Sequence, residues 1–282
     1  MTALVAGIDV DGRTPVRYHG GMAAAPATAV PPAGPRRAGP EARDRLASLA
    51  PRVTTAVLAG ARTIPVAEVL RPVLPSGLAR GATALVAGAA AVSTAALLAA
   101  AAVEAGAWVG AIGLDVLGVE ACREAGLALE RLVLVRGGAD LGDEVAGQAL
   151  AALVDGFDIV LVGPGLRVRA GTARRVQARL GQRGAVLVVV GAAGPFSCDL
   201  TVETSTTWHG LGRGHGYLRA REVVVTVAGR RMPRSRGTTV WFPNTAGGVG
   251  GGAHEQTGHE QTGHDDTGRA PLITHVPLRR TG

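Results

Sequence analysis

Between Leu70 and Val227 the chain repeats one pattern, a short apolar run rich in β-branched residues followed by a longer helix-forming segment. The apolar runs are Thr83–Ala87, Trp108–Leu114, Leu132–Val135, Ile159–Val162 and Val186–Val190. Helical segments are expected between them, at about 94–104, 117–126, 142–154 and 170–182. Parallel strands need such crossovers, and strands covered on both faces read as continuous Val/Ile/Leu runs rather than as alternation. The pattern therefore predicts an α/β core with a mostly parallel sheet flanked by helices. The 42 glycines and 16 prolines are about a fifth of the 282 residues. That lies below the roughly 25–30% typical of wholesale disorder.

The flanks differ from this core. Residues 1–40 are rich in Ala, Pro and Gly, with PPAGPRRAGP at 31–40, and read as a flexible, disordered arm. Residues 41–69 form a linker with a short helix expected from Glu41 to Ala50. The core domain is assigned to 70–243. Residues 244–282 form a low-complexity tail containing HEQTG, HEQTG and HDDTG in succession, with no apolar face to bury, and disorder is expected there. His254, His259 and His264 recur every five residues, a spacing that does not align them on one helix face, so no metal site is assigned.

Targeting signals are not expected. Asp9 and Asp11 fall where a secretory leader needs an apolar centre. Residues 81–103 carry no charge, but Ala dominates them and Gly81, Gly88, Ser93 and Thr94 interrupt them, so a strand, a turn and a buried helix account for the run better than a membrane span. Two lone thiols, Cys122 and Cys198, make no disulfide framework and fit a reducing cytoplasm.

The strand–turn–helix at 83–104 is where a phosphate-binding loop would lie. Such a loop needs G-x-x-x-x-G-K-[ST], because backbone amides cradle the phosphates, lysine neutralises them and the hydroxyl holds magnesium. Here Gly88 keeps the first position, Ser93 replaces the second glycine, Thr94 stands for lysine and Ala95 for the hydroxyl. Every one of the 29 basic side chains is arginine, so no lysine elsewhere in the chain can substitute. In Asp158-Ile-Val-Leu-Val-Gly163, glycine occupies the place of a magnesium-positioning carboxylate. Both halves of an ATP site are missing together. Asp115, after the second strand, reads as a solvated strand-end acid or a helix cap rather than as a residual catalytic carboxylate.

The order of these segments carries a resemblance. Leu74-Pro-Ser-Gly-Leu-Ala-Arg-Gly81 with the strand, loop and Ala-rich helix after it resembles the opening of a RecA-type core. Ala125-Gly-Leu-Ala-Leu-Glu-Arg-Leu-Val-Leu-Val135 and the later Gly-Phe-Asp-Ile-Val-Leu-Val-Gly163 follow in the same order. Trp208-His-Gly-Leu-Gly-Arg-Gly-His-Gly-Tyr-Leu-Arg-Ala-Arg221, running on to Arg231, is similar to the actinobacterial branch of ImuA-type proteins, RecA relatives without ATP motifs. The resemblance spans about 70–243. It implies a RecA-like core and a non-catalytic accessory role, without cofactor, in damage-induced translesion DNA synthesis. Its partners would be a Y-family polymerase-like protein of the ImuB type and, through that complex, an error-prone C-family polymerase. Two alternatives stay open, a RecA-type ATPase and an ATP-independent DNA-binding regulator.

The last part of the core offers the candidate contact surface. Residues 196–242 hold Trp208, Tyr217 and Trp241 among seven arginines: Arg213, Arg219, Arg221, Arg230, Arg231, Arg234 and Arg236. Arginine pairs bidentately with phosphate or carboxylate and stacks on rings, while Trp and Tyr add stacking area. With a net charge of +7, DNA or an acidic protein is the expected partner class. The competing reading is that Trp208, Trp241 and Phe242 only pack the last subdomain. Arg230, Arg231, Arg234 and Arg236 are the first candidates, since they are the least easily buried. The trio Arg174, Arg175 and Arg179 on one helix reads as a solvated face.

Overall fold

The computed structural model describes residues 7–8, 62–136, 138–212, 215–230, 232–243 and 248–251. The helix expected at Glu41–Ala50, most of the N-terminal arm and the histidine repeats lie outside the described residues.

The strands are β1 (Gly7–Ile8), β2 (Thr63–Ile64), β3 (Leu78–Ala79), β4 (Thr83–Gly88), β5 (Val109–Ile112), β6 (Leu132–Val135), β7 (Ile159–Val162), β8 (Val186–Val190), β9 (Leu200–Gly212), β10 (His215–Gly229) and β11 (Arg236–Phe242). The helices are α1 (Ala91–Glu104), α2 (Val119–Glu124), α3 (Asp143–Gly156) and α4 (Ala170–Arg183). Nine strands form one sheet in the order β1-β6-β5-β7-β8-β4-β9-β10-β11, and β2 pairs with β3 separately. Every neighbouring pair from β1 to β9 is parallel, while β9–β10 and β10–β11 are antiparallel. The α/β class with a mostly parallel, helix-flanked sheet is thus what the alternation predicted.

Successive residues of a strand point to opposite faces, and each face here meets its own layer. Ile159 and Leu161 of β7 join α1, α2 and the segment Ile64–Leu78 in one apolar cluster. Val160 and Val162 join α3 and α4 in the other. Ile64 and Val66, preceding the assigned core, are buried in the first cluster. The Ala-rich α1 is buried along most of its length, because small side chains let it lie close to the sheet. It has 14 residues, whereas spanning a bilayer takes about 20. Among the described residues no helix is long and apolar enough to cross a membrane.

Helices α3 and α4 are tied at both ends. The Asp143 carboxylate accepts the Arg169 N–H at 2.6 Å and the Thr172 hydroxyl at 2.9 Å. At the other end Asp155 pairs with Arg179 and Arg183. Arg174, Arg175 and Arg179 are exposed, as a solvated face requires, and two of them also serve this helix pair, Arg175 donating to the Thr172 hydroxyl and Arg179 to Asp155. A largely buried pair, Arg80–Asp158 at 3.2 Å, lies at the amino ends of the central parallel strands, where Asp158 also accepts the Trp108 N–H.

Candidate functional site: a closed loop and an arginine between two rings

In an open parallel sheet, ligands collect at the carboxyl ends of the strands. Here β4 ends at Gly88, whose φ is +98°. A Cβ on Gly88 would lie 1.9 Å from the Thr204 carbonyl oxygen on the neighbouring β9. The next two residues are bound to the same threonine. Ala89 N–H donates to the Thr204 carbonyl at 3.3 Å, and Ala90 N–H donates to the Thr204 hydroxyl at 3.1 Å. That hydroxyl in turn donates to the Ala87 carbonyl. Helix α1 then starts at Ala91.

The turn is therefore short, and two of the amides that a phosphate would need already have acceptors. Ser93, Thr94 and Ala95 all lie inside α1 rather than in a loop. Thr94 and Ala95 are buried, with Ala95 in the apolar cluster. A lysine at position 94 would start from the core side of the helix.

The carboxylate position is closed as well. Gly163 follows β7, and its N–H donates to the Ile112 carbonyl at the end of β5. A Cβ at Gly163 would lie 1.9 Å from the Gly113 carbonyl oxygen and 2.8 Å from the Leu114 side chain. Backbone fills the crevice between the two strands, so any side chain there must displace a strand end. Asp115 is exposed and does not cap α2, whose first-turn flank is Gly118. Of its two readings, the solvated strand-end acid fits.

Beside the closed loop stands Arg221. The register of the antiparallel strands sets Arg221 of β10 opposite Trp208 of β9 and Phe242 of β11. Its guanidinium lies 5.3 Å from the Trp208 ring centre and 4.7 Å from that of Phe242, both within cation–π range. Its Nη2 donates to the Ser93 hydroxyl at 2.8 Å, which fastens the sheet to the first turn of α1. Burial lowers the Arg221 pKa, since desolvation disfavours its charge. Among the described residues it has no carboxylate partner.

Between Arg221, the α1 N-terminus and α2 lies a cavity of about 360 Å³, walled by Ala89, Ala91, Ala96, Leu117 and Cys122. Burial pushes the Cys122 thiol up to about 11. Val116 and Trp208, 75% and 55% exposed, stand at the rim: Val116 lines the cavity, and Trp208 stacks on Arg221.

The opposite face of the same strands carries His209, its ring tilted against that of Trp241 with centres 4.9 Å apart, and bonded to Glu222 at 3.1 Å. Trp241 is thus half-buried against its neighbours. Tyr217 is exposed, with Arg219 over its ring at 5.1 Å. Arg230, Arg234 and Arg236 are exposed at the β10–β11 turn, and Arg230 donates to the Ser197 hydroxyl. That turn lies at the amino ends of the parallel strands, away from the cavity. Arg213 and Arg231 lie outside the described residues.

The structure therefore divides the seven arginines and gathers at the cavity only Arg221 with Trp208 from the contact surface and Gly88 and Ser93 from the loop. It adds Val116 and Leu117, whose only sequence signal was apolar character, with Cys122, which the sequence marked only as a lone thiol, and Phe242, which it marked only as a packing ring. Among the described residues no cluster of three His, Cys, Asp or Glu could hold a metal ion.

Residues 72–195 match the family model described as the MT3502 N-terminal domain. No curated protein matches the chain. Among solved structures, the RadB recombinase is similar at 15% identity and a TM-score of 0.46, over 65% of this chain and 96% of that one. The flagellar accessory protein FlaH from Methanocaldococcus jannaschii is similar at 9% identity and a TM-score of 0.45, over 64% of this chain and 93% of that one.

Proposed function

We propose that this chain is a non-catalytic RecA-homologous accessory protein of damage-induced translesion DNA synthesis. In this reading it works in the cytoplasm as a scaffold for a Y-family polymerase-like partner and, through it, an error-prone C-family polymerase. The homology and the partners rest on the sequence resemblance. The absence of a chemical step rests on one observation, the paired closure of the loop after β4 and the crevice after β7. Thr204 takes the Ala89 and Ala90 amides, and the Gly113 carbonyl occupies the space a Gly163 side chain would need. A fold that keeps its sheet but packs backbone into the catalytic positions is suited to binding rather than to turnover.

The test is affinity purification of the tagged full chain from its own cells after DNA damage. The expected result is recovery of a Y-family polymerase-like protein. Its failure to co-purify would count against the scaffold, and magnesium-dependent ATP binding by the purified chain would overturn the non-catalytic reading. ATP at 100 times its Kd would stabilise the fold by about 2.7 kcal/mol, which thermal unfolding detects readily.

A further inference from the structure

We propose that the cavity beside α1 docks an acidic segment of a partner protein, one carboxylate pairing with Arg221 and an adjoining apolar side chain entering between Ala96, Leu117 and Cys122. The proposal rests on the scaffold reading and names the chemistry its partner would present.

Three observations select this occupant. First, Arg221 is half-buried between two rings and has no carboxylate among the described residues, although one of its nitrogens already donates to Ser93. A planar guanidinium held by Ser93, Trp208 and Phe242 keeps further N–H donors in a fixed direction, and a carboxylate matches that geometry. Second, Ala89, Ala91, Ala96, Val116, Leu117 and Cys122 add apolar side chains to the wall that Ser93, Arg221 and backbone also form, and about 360 Å³ falls within the range of small-ligand pockets, enough for a Leu or Phe side chain. Third, Val116 and Trp208 stand exposed at the rim, where a peptide continuing past the cavity would cover them.

A nucleotide fits the same space poorly. Its phosphates would find one arginine and no carboxylate to hold magnesium among the lining residues, and the Ala89 and Ala90 amides are bonded to Thr204. A nucleic-acid strand would find only one arginine among the lining residues.

The experiment uses the full chain, immobilised and panned against a phage-displayed random dodecapeptide library. Fluorescein-labelled copies of enriched peptides are then titrated by anisotropy. Enriched peptides are expected to carry Asp or Glu next to Leu, Ile, Met or Phe. Replacing that acid by its amide, or Arg221→Met in the protein, should each weaken binding about tenfold or more, with little further loss when combined.

Ala121→Trp gives an independent check, since Ala121 is exposed on α2 and lines the cavity. It should block binding while leaving Tm unchanged. No enrichment, enriched peptides without acid, or binding indifferent to both variants would overturn the proposal. So would displacement of the peptide by Mg-ATP or by oligo(dT), which would assign the cavity to a nucleotide or to DNA. If the polymerase-like protein still co-purifies with Arg221→Met and Ala121→Trp while no peptide binds, the cavity proposal fails and the scaffold reading stands. If peptides bind but no such protein co-purifies with the wild-type chain, the scaffold reading fails alone.

Discussion

Gly163 shows how a missing carboxylate becomes part of the packing. With the Gly113 carbonyl oxygen 1.9 Å from the nearest possible Cβ, no rotamer of Asp relieves the contact. The strand end must move instead, and overpacking of a filled site costs about 1–3 kcal/mol or more. Gly163→Asp should therefore lower Tm by several degrees and restore no magnesium-dependent hydrolysis, as read by thermal unfolding and phosphate release. An unchanged Tm with new ATPase activity would show that the site is merely vacant. Cys122 supports a second prediction at this scale. With its thiol pushed up to about 11 by burial, only about one molecule in a thousand is thiolate at pH 8. In the native chain a thiol-exchange reagent should therefore modify the partly exposed Cys198 first. Cys122 should follow at a comparable rate only after denaturation.

The α3–α4 pair shows what charge does between elements. Burial acts to raise the Asp155 pKa, but hydrogen bonds and charge from Arg179 and Arg183 outweigh it, and the carboxyl sits below its usual range. A depressed folded-state pKa gives stability that is present above the unfolded value near 3.9 and disappears as pH falls through the lower folded value. Because both arginines are largely exposed, the contribution is discounted to about 1 kcal/mol. Asp155→Asn should lower the urea midpoint at pH 7, and the variant and wild-type midpoints should converge on acidification below about pH 4. A gap that does not narrow at all on acidification from pH 5 would show that the effect is packing and not charge. Legibility also divides by element. Strands β6, β7 and β8 are buried on both faces and fall where their unbroken apolar runs place them. In β9, Thr201, Glu203, Ser205 and Thr207 alternate with Val202, Thr204, Thr206 and Trp208, and no apolar run announces a strand. β11 was equally silent, and β10 begins at His215 although its apolar run starts only at Val223. The site depends on those three strands. Arg221 stood in the sequence as one of seven arginines, and only cross-strand register, a non-local property, sets it between Trp208 and Phe242. The loop after β4 was legible as degenerate, but its closure by Thr204, more than a hundred residues away, was not.

Across the whole molecule the antiparallel strands separate two kinds of cation. From Arg221 to Gly229 β10 rises about 26 Å at roughly 3.3 Å per residue, so the two ends cannot serve one short ligand. At the cavity end Arg221 is confined between rings and bonded to Ser93, suited to one directed contact. At the other end Arg230, Arg234 and Arg236 are exposed around a turn, in a chain of net charge +7, and suit diffuse attraction to a polyanion. Diffuse attraction has a thermodynamic mark, because each neutralised phosphate of a single strand steepens the salt dependence of binding by about 0.7 in log–log slope. Replacing Arg230, Arg231, Arg234 and Arg236 by Ala should therefore flatten the salt dependence of oligo(dT) binding by about 3, as measured by fluorescence anisotropy. The same replacement should leave acidic-peptide binding unchanged, whereas Arg221→Met should do the reverse. If the quadruple variant keeps the wild-type slope, the turn is not a DNA contact. If it also loses the peptide, the two ends of the sheet are coupled, and the separation argued from strand length fails.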